Sequence, residues 1–249
     1  MPVVQRLSAE GYETLRIIAG TRKGRKLQPI KGRSIRPTSD RIRESVFNII
    51  GMAVSDASVL DLYAGTGAMG IEALSRGAAF AVFAEKSPYA LQTIRRNIAH
   101  LDFTDRALIV REDILKGLSL IETLGRRFNI VFMDPPYRKD CVAKTLSFLS
   151  GADILFSDAR VIAEHGVAET TPEIAGNLAL YDQRKYGKTM VSFYVTRFLP
   201  GAMNSKTQGS AKNNLVEFAP EFAVALIDLI EQNRRNSELF RGLLRLKIG

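Results

Sequence analysis

The chain of 249 residues has one cysteine, two histidines and no tryptophan. Cys141 has no second thiol to pair with, so nothing argues for a disulfide-forming compartment. With only His100 and His165 beside it, a Cys/His zinc cluster lacks ligands, and no metal is expected. Long apolar runs are also missing. None approaches the ~18 residues of a membrane span, and the first turns of chain carry Glu10, Glu13 and Arg16 in place of an apolar signal core. The expectation is a soluble cytoplasmic protein with no membrane attachment. Hydrophobic residues make up 46% and charged residues 24%, values that exclude a disordered chain, a collagen-like repeat and a coiled-coil rod.

What the chain has in excess is positive charge, and it is unevenly placed. The net charge is +9, yet residues 1–43 alone hold 11 Lys/Arg against 3 Asp/Glu. The densest part includes Arg22, Lys23, Arg25, Lys26, Lys31, Arg33, Arg36, Arg41 and Arg43. Such a cluster is an electrostatic footprint for a polyanion, because each neutralised phosphate releases condensed counterions. A solvated basic tail that only aids solubility is the plainer reading. A membrane partner is disfavoured, since the segment has no broad apolar face to insert.

Residues 15–30 read as two short strands around a Gly- and Arg-rich turn. The Thr38-Ser39-Asp40 cluster then starts an amphipathic helix over about 40–51, with Ile42, Val46, Ile49 and Ile50 facing inward. From residue 57, short apolar runs alternate with helical periods. Strands are predicted at 57–63, 79–84, 107–110, 128–133 and 159–164, and helices at about 68–76, 88–100, 114–124 and 139–149. That alternation implies a doubly wound, mostly parallel α/β sheet covered on both faces. Residues 178–186 and 189–198 have no room for a helix between them, so they are predicted to be antiparallel. A polar linker follows Pro200-Gly201, then the apolar-periodic stretches 217–231 and 235–247, which form one or two helices. The organisation expected is a basic hairpin and helix at 1–51, an α/β domain at 52–200, and a helical extension at 201–249.

Gly65, Gly67 and Gly70 form G-x-G-x-x-G after the first strand of that domain, and Glu85 ends the next strand. This is a nucleoside-binding fingerprint. Asp61, at the strand mouth, is a poor neighbour for a pyrophosphate and a good one for a ligand carrying a sulfonium and an ammonium. The loop therefore suits S-adenosylmethionine better than NAD. Glu85 offers two oxygens to ribose hydroxyls, and Asp113 can accept from an adenine amine, although capping a helix before Ile114 is nearly as good a use for it. Contacts to the cofactor are assigned to Asp61, Ala64, Gly65, Thr66, Gly67, Glu85, Lys86, Asp113 and Ile114.

The fourth strand ends in Asp134-Pro135-Pro136-Tyr137. Two prolines hold the backbone extended and leave their carbonyls outside any local helix. Asp134 and the Pro135 carbonyl can then converge on a planar amino group, and Tyr137 offers a face on which a base stacks. An exocyclic amine conjugated to a purine is a weak nucleophile. Two acceptors gripping its hydrogens favour pyramidal geometry and aim its lone pair. A strand-ending turn is the plainer reading of the same four residues.

The glycine loop and this segment, in this order, resemble the S-adenosylmethionine-dependent amino-group methyltransferases. RIIAGTRKGRKL, RPTSDRIRESVFNII and VLDLYAGTGAMGIEALSRGA together are similar to the RsmD family, over roughly residues 15–198. The resemblance implies methylation of the exocyclic N2 of a guanine in 16S ribosomal RNA. It also implies a seven-stranded sheet with an antiparallel last strand. On that basis Asp134, Pro135, Pro136 and Tyr137 fall on the catalytic motif. Arg22, Lys23, Arg25, Lys26, Arg36 and Arg41 fall on the segment presented toward RNA, on bare ribosomal RNA or on a small ribosomal subunit. A monomer is expected, although nothing in the sequence fixes the oligomeric state. A DNA adenine or cytosine methyltransferase, a nicotinamide-dependent oxidoreductase and a catalytically idle RNA-binding protein remain as alternatives. Residues beyond about 200 depart from the family pattern.

Overall fold

The computed structural model describes residues 15–30, 40–136 and 140–197. Each apolar run that is followed by a helical period becomes a strand with a return helix, which forces parallel pairing. The strands are β1 Ser58–Leu62, β2 Phe80–Glu85, β3 Ala107–Arg111, β4 Phe128–Met133, β5 Leu155–Gly166, β6 Ile174–Ala175, β7 Leu178–Tyr186 and β8 Thr189–Thr196. The helices are α1 Asp40–Ile50, α2 Ala68–Ser75, α3 Pro88–His100, α4 Ser119–Glu122 and α5 Cys141–Gly151. The strands form one sheet in the order β3-β2-β1-β4-β5-β8-β7-β6. β1 to β5 are parallel, while β8 runs against both β5 and β7. The β7–β8 turn places Gly187 at φ +60°. The sheet thus holds the seven expected strands plus the two-residue β6.

The pleat sends alternate side chains to opposite faces, and each face has its own core. On one side Val59, Phe83, Ile130, Phe132, Ile162 and Phe193 pack under α1, α2 and α3. On the other, Leu60, Leu62, Val82, Val131 and Met133 meet Val142, Leu146 and Leu149 of α5. The order reverses between β1 and β4, where one strand turns toward β2 and the other toward β5. The carboxyl ends at such a reversal open a crevice.

Three elements differ from the periodic reading. The 114–124 helix is broken into a 3₁₀ turn at Ile114–Lys116 and the short α4, because Gly117 sits at φ +136°, which L residues rarely adopt. β5 begins at Leu155, four residues early, and its pairing with β4 shifts register between Phe128 and Ile130. The 15–30 segment is a hairpin with a single bridge, Arg16 to Lys26, instead of two regular strands. Its remaining order comes from hydrogen bonds such as Ile17 N to Arg25 O at 2.9 Å and Leu27 N to Leu15 O at 2.8 Å. The extension helices expected at 217–231 and 235–247 lie outside the described residues.

The hairpin is fastened to the sheet domain by a buried acid. Glu72 of α2 is fully buried, and its carboxylate accepts from Ile18 N at 2.8 Å, Ala19 N at 3.0 Å and Arg76 Nε at 2.7 Å. Ser75 adds a second clasp, accepting from Arg22 N at 3.0 Å and donating to Ala19 O at 2.6 Å. Leu15, Ile17 and Leu27 join the core beneath. Another polar cluster ties β5 to β8. His165 is buried, and its Nε2 lies 2.7 Å from Ser192 Oγ, which also accepts from Gln183 Nε2 at 2.9 Å. Burial lowers the pKa of this imidazole and keeps it neutral. Cys141 is buried at the start of α5.

Gly20 shows how close the hairpin comes. It has φ +80°, and a Cβ there would fall 1.8 Å from the Ser75 carbonyl oxygen. Gly20→Ala should cost about 1–3 kcal/mol in urea unfolding and should expose the 15–30 segment to proteolysis. A variant as stable and as resistant as the native chain would contradict this packing.

Candidate functional site

The loop after β1 is shaped by its backbone. Tyr63 leaves the strand at φ +60°, Gly65 follows at +57° and Gly67 at +80°. A non-glycine residue in this region is strained and persists where its surroundings hold it. Tyr63 is held at its far end, where its hydroxyl lies 2.7 Å from Thr145 Oγ1 and Thr145 in turn donates to Cys141 O. Burial pushes the Tyr63 phenol up to about 12. Buried Ala64 donates from its N to Ala84 O at 3.1 Å, and Gly67 N donates to Ala64 O at 2.7 Å. The Thr66 carbonyl accepts from Asn97 of α3.

Asp61 lies under this loop and accepts from Gly70 N at 2.9 Å through Oδ2. The bond joins the end of β1 to the first turn of α2, where free N–H groups favour an anion. Burial outweighs it, however, and with Glu85 nearby the Asp61 pKa rises to about 8. Glu85 ends β2 and organises the far wall of the loop. Its Oε2 accepts from Gly65 N at 3.1 Å, and its Oε1 accepts from Lys86 N and Ser87 N, both at 2.8 Å. Lys86 Nζ lies 3.5 Å from Asp113 Oδ1. Asp113 precedes the 3₁₀ turn without capping it through its side chain, and Ile114 behind it is buried.

Asp134 follows β4 at the rim of the crevice and is exposed, whereas Pro135 is buried and Pro136 exposed. Despite that opening, enclosing protein raises the Asp134 pKa well above the ordinary carboxylate range, and Glu164 and Asp61 add to the effect. Glu164 is a residue the sequence reading passed over. Met133 pairs with Ala163, so Asp134 and Glu164 stand side by side at the next position of the parallel register. Asp61, Asp134 and Glu164 line one hollow, whose remaining walls are Val46, Met69, Phe132, Met133, Ile162 and Val191. The signal for Glu164 was its place, an acid at the carboxyl end of a buried strand. Tyr137 lies outside the described residues.

The donor set fits a cation better than a pyrophosphate. Three carboxylates converge, two of them with raised pKa, so the hollow already holds more negative charge than it can ionise. A Cβ at Gly65 would meet nothing nearer than the Tyr63 carbonyl at 3.8 Å, leaving open room above the loop. The Glu85 carboxylate stands at the end of β2, held in place by the Gly65, Lys86 and Ser87 amides. The charge of the hollow and the space above Gly65 are compatible with an adenosyl sulfonium. Among the described residues, no group of three or more His, Cys, Asp or Glu is arranged to hold a metal ion.

The basic residues divide into two sets. Lys23, Arg25, Lys26 and Arg41 are exposed, as a polyanion surface requires. Arg22 is half-buried and turned to structural use: its Nε donates to Leu101 O at 2.8 Å, and its guanidinium stacks 5.4 Å from the Phe103 ring. Arg25 also reaches His100 O at 3.3 Å. Arg43 corrects the sequence reading outright. It is fully buried, donating to Asp40 Oδ1 at 2.9 Å and to Arg16 O, so it cannot face a nucleic acid. Arg36 lies outside the described residues. Among the described residues, no helix is long and apolar enough to cross a membrane.

The chain is similar to several known proteins. The profile of a family described as conserved hypothetical protein 95 matches residues 15–195. The Escherichia coli (strain K12) protein named ribosomal RNA small subunit methyltransferase D is 34% identical over 184 residues, covering 74% of this chain and 91% of that protein. A solved conserved hypothetical protein from Streptococcus pyogenes is 32% identical, with a TM-score of 0.57 over 62% of this chain and 95% of that one. A solved hypothetical protein from Thermus thermophilus is 27% identical, with a TM-score of 0.62 over 72% and 98%.

Gly70 tests the loop at a position that is not itself a proposed ligand contact. A Cβ there would sit 2.4 Å from Phe83 Cε1 and 3.2 Å from Asp61 Oδ2. Gly70→Ala should lose about 1–3 kcal/mol in denaturant unfolding, with the start of α2 displaced. Unchanged stability would show that the strand end and the helix start are not locked together as described.

Proposed function

The chain belongs to the RsmD family, and we propose that it is an S-adenosylmethionine-dependent methyltransferase acting on the exocyclic N2 of a guanine in 16S ribosomal RNA. The observation that carries this reading is the convergence of Asp61, Asp134 and Glu164 on one hollow at the sheet's reversal point. When bound, S-adenosylmethionine supplies an electrophilic methyl carbon on a sulfonium.

The chain's own residues do the rest. Glu85 accepts from the ribose hydroxyls, Asp113 from the adenine amine, and the backbone of Ala64, Gly65, Thr66 and Gly67 lies against the adenosyl group. Lys86 holds Asp113 in place, and Ile114 closes the apolar side. Asp61 faces the cationic end. Asp134 and the Pro135 carbonyl accept hydrogen bonds from the two hydrogens of the guanine amine, so the nitrogen pyramidalises and its lone pair is withdrawn from the ring π system and points toward the methyl carbon. Pro136 keeps the segment extended, and Tyr137 stacks the base. Much of the rate then comes from holding the reactants in line. The proton released by the methylated amine passes to Asp134 or to water. Lys23, Arg25, Lys26, Arg36 and Arg41 grip phosphates, on bare ribosomal RNA or on an assembled small subunit, while Arg22 shapes the surface that presents them.

Transfer of label from S-adenosylmethionine to 16S ribosomal RNA, with mapping of the modified base, tests this reading. Asp134→Ala should lower kcat by about 100-fold, the scale of a lost alignment, with affinity for S-adenosylmethionine retained. Label entering DNA but not ribosomal RNA would overturn the substrate, and full activity of Asp134→Ala would overturn the mechanism.

The acidic hollow also fixes a pH dependence. Asp61 keeps its proton up to about pH 8 in the free protein, whereas a neighbouring sulfonium favours the ionised form. Binding therefore expels a proton below that pH, and affinity should rise with pH and level off beyond about 8. S-adenosylhomocysteine has no sulfonium and should show a shallower slope. Calorimetry of both ligands across this range checks the point, and equal slopes would remove Asp61 from beside the sulfonium.

A further inference from the structure

Asn97 lies in the last turn of α3, is fully buried, and belongs to no motif read from the sequence. Its Oδ1 accepts from Gln28 N at 2.8 Å. Its Nδ2 donates to Gln28 O at 3.2 Å and to Thr66 O at 3.0 Å. The opposite orientation of the amide would set N–H against N–H and one oxygen against two others, so the network itself fixes the side chain. One planar group thus holds the backbone of the basic hairpin and the backbone of the glycine loop together, although Gln28 and Thr66 lie far apart in sequence.

We propose that Asn97 is a positioning residue that couples the RNA-facing hairpin to the cofactor loop. The proposal rests on the methyltransferase reading above, which makes Thr66 part of the cofactor site. Its physical basis is that the Oδ1 and both Nδ2 hydrogens of a fully buried side chain are engaged by backbone groups of two separate segments. A shift of Gln28 leaves the buried Asn97 amide with unmet groups unless that side chain follows, and following would take the Nδ2 donor away from the Thr66 carbonyl. A displacement of the hairpin is therefore felt at the glycine loop through Asn97. Glu72 and Ser75 hold the other limb of the hairpin from α2, but neither touches the loop carbonyl. Coupling of this kind is reciprocal: whatever a cofactor does to hairpin order, RNA on the hairpin does to cofactor affinity.

The test uses the full chain and variants at a distance from the cofactor. Gln28→Pro deletes the N–H that Asn97 accepts and leaves every residue of the glycine loop in place. It should raise the dissociation constant for S-adenosylmethionine about fivefold to tenfold in the absence of RNA, on the scale of one lost hydrogen bond. KM for the cofactor should rise with it while kcat at saturation holds. Ser75→Ala, which frees the hairpin's other clasp, should leave that constant within about twofold. Hydrogen exchange gives a readout that needs no active variant: S-adenosylhomocysteine should slow exchange at the Gln28 amide of the native chain, and Asn97→Ala should abolish the effect. The coupling is overturned if the native chain binds the cofactor while Gln28→Pro, still folded, binds it equally well. It is equally overturned if Gln28 exchange ignores the ligand. A native chain that binds no S-adenosylmethionine overturns both the coupling and the methyltransferase reading.

Discussion

The bond from Gly70 N to Asp61 is the constraint on which the other placements hang. It sets where α2 begins relative to the end of β1, and only a residue without a Cβ fits between Asp61 and the Phe83 ring. With the first turn of α2 fixed, Glu72 and Ser75 are delivered to the far side of the helix, where they meet the hairpin. The glycine loop is stretched between the same two ends, so its left-handed residues follow from the short span. A single buried carboxylate therefore governs both the loop and the attachment of the basic segment.

The same carboxylate shows how electrostatics and packing divide the work. Asp61 has one hydrogen bond to the helix start, yet burial dominates and its pKa climbs. Asp134 and Glu164 stand nearby on neighbouring strand ends, brought together by the parallel register and the alternation of side chains. Apolar walls from α1, α2 and the sheet shut water away from Asp61 and crowd the other two acids. The result is a hollow biased toward cations. A positive ligand relieves a repulsion that folding has already imposed.

Much of this was legible in the sequence because it is written in local patterns. The alternation of apolar runs and helical periods yielded the five parallel strands, and Ser87-Pro88 marked the start of α3, where Ser87 does accept from Ala90 N. The missing helix between residues 186 and 189 marked the antiparallel pair. The glycine loop and the Asp-Pro-Pro segment announced themselves by composition. What stayed hidden depends on partners distant in sequence. Glu72 reads as a solvent-facing acid in a short helix until Ile18 and Ala19 arrive from 50-odd residues away. Arg43 reads as one more surface cation in a basic run, and Asn97 as an ordinary polar helix residue. Composition also overstated the reach of the basic segment, since a count of charges cannot tell a guanidinium facing water from one bonded to Leu101 O. The break at Gly117 was passed over because the apolar period continues across it.

Glu72 has a further consequence for how this protein can be cut down. The hairpin looks like a detachable appendage, a charged handle joined to a self-sufficient enzyme body. Yet its main-chain amides are the chief partners of an acid lodged at zero exposure within that body. A truncation that begins after residue 30 would strand this carboxylate with Arg76 alone and uncover the apolar seat of Leu15, Ile17 and Leu27. Engineers seeking a minimal catalytic module would find that the handle is also the stopper.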